Sequence, residues 1–285
     1  MTSPTTLGVV DSARQDAIAR RSRRDLLVAS TSTVVFFAVL LAIVLTSPGW
    51  PVVQDAFFNP TVAKGAFPEI LRVLWLTVWI FLTAEPVILI FAMLLALLRG
   101  LTAPIFTPLR FVAIVYTDVI RGIPTVLLIY LFAFGLPALN LQGVPDSLLF
   151  WAWVALVVSY SAYVAEVLRS GLESVHPSQR AAARALGLGQ LASLRYVVIP
   201  QAVRTVIPAL LNDFISLQKD TALVGLVGVV EVFKAANIDV GFNFNFTALV
   251  VAAAFYVVMT VPLSRYADWM AARQRRRSRA SGGDS

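Results

Sequence analysis

Six long apolar stretches alternate with shorter polar ones along this chain, at about residues 26–46, 70–98, 111–136, 147–168, 202–229 and 246–263. Each is near the roughly 20 residues that a helix needs to cross a hydrocarbon core. The second carries Glu85-Pro86 near its middle, and the third has Asp118 and Arg121 near its start and Pro124 inside. The fifth is apolar but broken by Pro208, Asn212, Asp213 and Lys219-Asp220. Residues 47–69 are rich in proline, glycine and aromatics and read as an interfacial excursion. Residues 230–245 form a polar stretch, partly helical around 231–236.

The longest polar interruption, residues 169–201, does not read as a slack linker. From Ser178 to Leu186 nearly every residue is a good helix former, and Ser178 after Pro177 is placed to cap the helix. Gly187 and Gly189 then stop it, as glycines do at helix ends. A second short run, residues 190–197, precedes Pro200. Two short helices bearing Arg180, Arg184 and Arg195 make a rigid basic knob between membrane segments. It is either a well-capped loop or a docking element for another protein.

Composition agrees with a membrane chain. Of 285 residues, 58% are hydrophobic and 14% charged, with a mean hydropathy of +0.79. The absence of cysteine excludes disulfides, thiolate catalysis and cysteine metal sites. The net charge of +7 is placed for topology, not for nucleic acid. Arginines crowd residues 14–24 and 265–279, while the loops on the same side hold Arg99, Arg110, Arg169, Arg180, Arg184 and Arg195. The opposite loops hold only Lys64 and Lys234, accompanied by five acidic residues. This asymmetry puts both termini and the knob in the cytoplasm. Arg72 is the one misfit and can snorkel. Residues 26–46 are long enough to span and are followed by no A-x-A cleavage pattern, so they read as a retained first span. The basic tail suits anionic membrane headgroups.

No phosphate loop is present, and His176 is the only histidine, so no histidine pair can hold a metal. The chain therefore carries no covalent chemistry of its own. Polar residues within the spans remain. A charge near the bilayer centre costs about 2.5–3.5 kcal/mol on insertion scales, so each needs a reason. Glu85 is either a cavity-lining carboxylate for a cationic part of a solute or a structural residue. Asp118 with Arg121, and Glu166 with Arg169, are i,i+3 neighbours that can neutralise each other. Asn212, Lys219 and Asp220 lie on a broken helix, which is tolerated at depth where it lines a cavity or is buried in protein.

The spelling of the knob, S-Q-R-A-A-A-R-A-L-G-L followed by V-I-P-Q-A, resembles the E-A-A loop of permease subunits of ATP-binding-cassette importers. Y-V-A-E-V-L-R-S-G-L at 163–172, I-P-A-L-L-N-D-F-I-S-L-Q-K-D-T-A-L at 207–223 and I-R-G-I-P-T at 120–125 resemble the polar amino-acid branch. Ala181 stands where that loop has its glutamate, while Ala182, Ala183 and Gly187 match. The resemblance implies an all-α integral membrane protein with six transmembrane helices and a type I importer permease core. It divides the chain into a basic N-terminal segment (1–25), an extra first span with its outer loop (26–69), a five-helix core (70–268) with a coupling loop at 170–200, and a disordered basic tail (269–285). It assigns Gln179, Arg180, Ala182, Ala183, Gly187 and Leu188 to ATPase coupling and places K-D-T-A-L, with Lys219 and Asp220, in the translocation core; Glu85 and Asn212 are the further candidates for the path, read from their place within the spans.

The partners it implies are a second permease chain (a copy or a paralogue), two ATPase subunits that bind the ATP and magnesium, an extracytoplasmic solute-binding protein and membrane lipids. No cofactor is expected on this chain, and the location implied is the cell inner membrane. The solute would be a polar amino acid or similar small zwitterion. A proton-coupled secondary transporter using Glu85 or Asp220 is the alternative.

Overall fold

The computed structural model describes residues 25, 27–101, 103–140 and 142–281, with side chains up to Arg273. The N-terminal segment 1–24 and residues 282–285 lie outside the described residues. Residues Met1–Ala56 and Phe57–Ser285 are two compact units. In the first, α1 (Leu27–Thr46) is apolar and buries none of its side chains. Its few hydroxyls stay satisfied within the helix: Thr33 and Thr46 donate to the carbonyls of Ala29 and Ala42, both at 2.7 Å. The short α2 (Trp50–Phe58) follows.

The first long helix of the second unit begins ten residues earlier than sequence suggests. α3 runs for 40 residues, Pro60–Arg99. Its N-cap, Asn59, accepts from the backbone N–H groups of Thr61 and Val62, and Pro60 occupies the first turn, where its missing N–H costs nothing. Of the prolines that made residues 47–69 read as a loop, Pro51 and Pro60 start helices instead, and Pro68 lies within α3. Phe57 stacks on Phe246, and the Asn59 amide donates to Thr247 Oγ1 at 3.0 Å, tying this entry to the core.

The third expected span is not one helix. α4 (Thr107–Gly122) and a second segment, α5 (Thr125–Tyr130) continued through a π turn into α6 (Leu136–Ala138), meet at 103°. The break follows from Pro124. Ile123 is pushed into the extended region (φ −99°, ψ 128°), as a residue before proline must be. Among the described residues, five helices are thus long and apolar enough to cross a membrane, and six spans result when the bent pair is taken as one.

α7 (Leu148–Ser174) is the central helix and packs against α3, α4, α5 and α10 (Ile199–Asp220). On α3, Ile80, Ala84, Ile88, Ala92 and Ala96 recur every fourth residue and are fully buried; on α7, Ala152, Ala155, Ser159, Ala162 and Ala165 face inward. Such small-residue seams let backbones approach closely, the main source of helix adhesion in lipid. At Gly171 a Cβ would sit 2.7 Å from Val206 Cγ1 and 3.0 Å from Ala202 O, so only glycine admits the α7–α10 crossing.

α10 runs unbroken through Pro208 and Asn212 to Asp220, where it tightens into a 3-10 stretch, Thr221–Val227. The expected interruption at Pro208 is absent: proline is tolerated within membrane helices, where neighbouring helices and local adjustments satisfy the freed backbone carbonyl. A second apolar cluster joins α3, α11 (Val232–Asn243) and α12 (Thr247–Ser281) through Ile70, Val232, Ala236 and Ala252. α12 continues well past residue 269, where a disordered tail was expected. Residues 271–281 contain good helix formers and no glycine or proline before Gly282.

Candidate coupling surface and translocation path

The knob is built as two short helices, α8 (Pro177–Ala185) and α9 (Gln190–Ser193), the latter merging through a π turn into α10. Its start differs from the expected one. Pro177 fills the first helical position, so the cap falls one residue earlier, on His176. Its Nδ1 accepts from the Ser178 amide at 3.2 Å. The lone histidine thus has a structural task that its isolated position in sequence concealed. The end is as read: Gly187 adopts φ +84°, Leu188 N–H donates to Ala183 O and Gly187 N–H to Arg184 O. These two bonds are the Schellman pattern, which fixes the angle between the helices.

Of the expected coupling residues, Gln179, Ala182 and Gly187 are exposed and Leu188 is half-buried. Ala183 instead faces its own chain at 3% exposure, and Arg180, although exposed, donates one N–H to Leu172 O at 2.6 Å, which ties the knob to α7. The outward apolar surface is Leu186 and Leu191, at 83% and 78% exposure. Leu186 was legible as an apolar residue on a polar helix, beside the stopping glycine.

Behind the knob, Glu166 on α7 gathers arginines from three helices. Arg99 of α3 donates to its Oε2 at 2.9 Å and to Thr117 Oγ1, Arg169 chelates its Oε1, and Arg121 of α4 lies 3.9 Å from Oε2. Arg169 also pairs with Glu173. The expected Glu166–Arg169 pair is therefore present, but the Asp118–Arg121 pair is not. The helix break at Gly122 brings Arg121 over the Tyr163 ring and toward Glu166, leaving Asp118 exposed. Arg99 was missed as a partner because 67 residues separate it from Glu166.

Deeper in the bundle, Glu85 on α3 is half-buried and lies close enough to Asp213 on α10 for their charges to repel. Asp213 Oδ2 is buried and accepts no hydrogen bond. Among the described residues, no lysine or arginine is within ion-pair distance of either. Two α10 turns further, Asp220 accepts from Tyr160 OH at 2.8 Å. Lys219 and Asn212 are exposed and do not join this acidic line. Beyond it, outside the spans, Glu231 caps α11. Its oxygens accept from the Phe233 and Lys234 amides at 2.8 Å and from Tyr256 OH at 3.1 Å. Burial pushes its carboxyl up to about 7, against the pull of those donors. Asp213 and Tyr160 are the members of this line that sequence did not select. Asp213 had shown itself only as a span-breaking charge, and tyrosine in an apolar run gives no signal.

Comparisons with known proteins bear on the fold and the family. Residues 89–276 match the family model described as the binding-protein-dependent transport system inner membrane component. A probable glutamine ABC transporter permease protein of Bacillus subtilis is 35% identical over 56% of this chain and 73% of its own length. An arginine transport system permease protein of the same organism is 32% identical over 73% of this chain and 92% of its own. A crystal structure of an amino acid ABC transporter with histidines is similar at a TM-score of 0.64 and 31% identity, over 72% of this chain and 94% of that one. An inward-facing methionine transporter shares the fold at a TM-score of 0.58 and 18% identity. With one family model spanning more than half its residues, this chain belongs to the inner membrane components of binding-protein-dependent transport systems.

Proposed function

We propose that this chain forms the translocation path of an ATP-driven importer for a polar amino acid or similar small zwitterion. A solute-binding protein delivers the solute, and a separate pair of ATPase subunits, which bind ATP and magnesium, drives the cycle through residues 170–200. A second permease chain completes the pathway. The observation that carries this reading is the rigid, doubly capped knob with Leu186 and Leu191 turned outward on an otherwise basic surface. A membrane protein driven by an ion gradient has no use for it. The named relatives are ABC permeases, and none supports the proton-coupled alternative. The acidic line of Glu85, Asp213 and Asp220 suits the ammonium group of a zwitterion.

The location proposed is the inner membrane with both termini and the knob cytoplasmic. Cysteines placed at Ser178 and Gln142 should then label from opposite sides with an impermeant thiol reagent. For the transport reading, proteoliposomes holding the chain with its ATPase and binding protein should take up solute only with ATP inside. Leu186→Asp should abolish both ATPase retention and uptake. Uptake driven by a pH gradient without ATP would overturn the proposal.

A further inference from the structure

A cavity of about 240 Å³ opens where the knob meets the end of α3. Leu97, Leu101 and Leu194 form its aliphatic wall, and Arg180, Arg184 and Ser193 its polar edge. The two arginines are i,i+4 neighbours on α8 and so project on one side of it. Among the described residues, neither has a carboxylate within ion-pair distance. Arg180 commits one donor to Leu172 O, which holds its planar head at the cavity and leaves its other N–H groups uncommitted to any carboxylate. Guanidinium forks match phosphate oxygens in geometry as well as charge.

The depth of the site completes the argument. Leu97 and Leu101 flank Arg99-Gly100, where an apolar span ends, which is the level of lipid headgroups. A free phosphate would leave the leucine wall wet. A phosphate esterified to an acylglycerol would cover it. We infer that this cavity binds the phosphodiester headgroup of an anionic membrane lipid, with the glycerol ester region on the Leu97–Leu101–Leu194 wall. The lipid would then bridge α3 to α8, stiffening the base of the knob.

The test uses the purified full chain in detergent, with the thermal unfolding midpoint followed against dioctanoyl phosphatidylglycerol, dioctanoyl phosphatidylcholine and inorganic phosphate. Phosphatidylglycerol should raise the midpoint saturably and phosphatidylcholine should not. Arg184→Gln should weaken the phosphatidylglycerol titration about tenfold, the size of one charge-assisted hydrogen bond. Arg184→Lys, which keeps charge but loses the fork, should fall between. Arg110→Gln, a charge removed from exposed α4 away from the cavity, should titrate as the parent does. Equal responses to the two lipids, or an unchanged titration in Arg184→Gln, would overturn the site. Inorganic phosphate acting at the same concentrations as phosphatidylglycerol would overturn the lipid assignment.

Discussion

Two groups of carboxylates in this bundle are built on opposite principles. At the knob end, Glu166 has three arginines around it and every oxygen is engaged. Deeper, Glu85 and Asp213 face each other with no cation among the described residues, and one Asp213 oxygen has no donor at all. Both groups join α3 to its neighbours, so location in the fold does not explain the difference. Compensation does. A charge that only holds helices together is best fully paired, because leaving it uncompensated in a poorly solvated place costs several kcal/mol. A charge left short of partners is one whose partner arrives from elsewhere.

The sharpest test of that contrast is stability. Glu166→Ala strands Arg99 and leaves Arg169 with Glu173 alone, and the chain should lose about 3 kcal/mol, read as a lowered thermal midpoint in detergent. Glu85→Gln removes a repulsion and should leave the midpoint unchanged or raised. A loss at Glu85 equal to that at Glu166 would erase the distinction. Transport should move the other way: Glu85→Gln and Asp213→Asn should each cut uptake about tenfold at normal membrane abundance, the loss of one charge-assisted contact. Full uptake in both variants would remove the pair from the path.

Glu231 is an intermediate case, more deeply buried than the half-buried Glu85 and Asp213 but supplied with three donors. Because its folded carboxyl lies near 7, above the ordinary 4.5, its contribution is fully present below about pH 4.5 and is lost as pH rises through 7. The midpoint should therefore fall from pH 5 to pH 8 by the equivalent of about 2–3 kcal/mol, and Glu231→Gln should flatten that slope. An identical slope in the variant would assign the dependence to another group. The smallest effect is expected at Arg121→Gln. At 3.9 Å and 40% exposure this member of the Glu166 cluster should contribute no more than about 0.5 kcal/mol, measured by the same midpoint.

What sequence could and could not reveal follows the range of the interactions involved. Apolar runs declare spans, and Gly187 declares a helix end, because both depend on a few adjacent residues. Pro124 announced a disturbance, but the 103° turn depends on α7 holding both halves, through Thr125 Oγ1 to Ser159 Oγ at 2.8 Å and Tyr163 OH to Arg121 O at 3.2 Å. Arg121 was assigned to Asp118 by helical spacing, and the same bend turned it away. Pro51 and Pro60 looked like loop residues because proline marks both loops and first helical turns. At the site, the knob was readable from its spelling. Which of its residues face outward was not, since Ala183 is buried and Arg180 is tied to Leu172 O of α7 only in the folded chain.

The seam between α3 and α7 has a consequence for how the chain is made. Thr83 and Arg99 find their partners, Trp153 and Glu166, 70 and 67 residues later. When α3 enters the bilayer those partners have not yet been synthesised. Its alanine stripe must wait against lipid, and its terminal arginine must wait at the membrane surface, while the bent third span is laid down. The native pairing therefore closes only after the fourth span arrives, so assembly of this bundle is a late, long-range event. A ribosome paused before residue 166 should leave α3 inserted but unlocked, accessible along the stripe of Ala84, Ala92 and Ala96 that the finished protein hides.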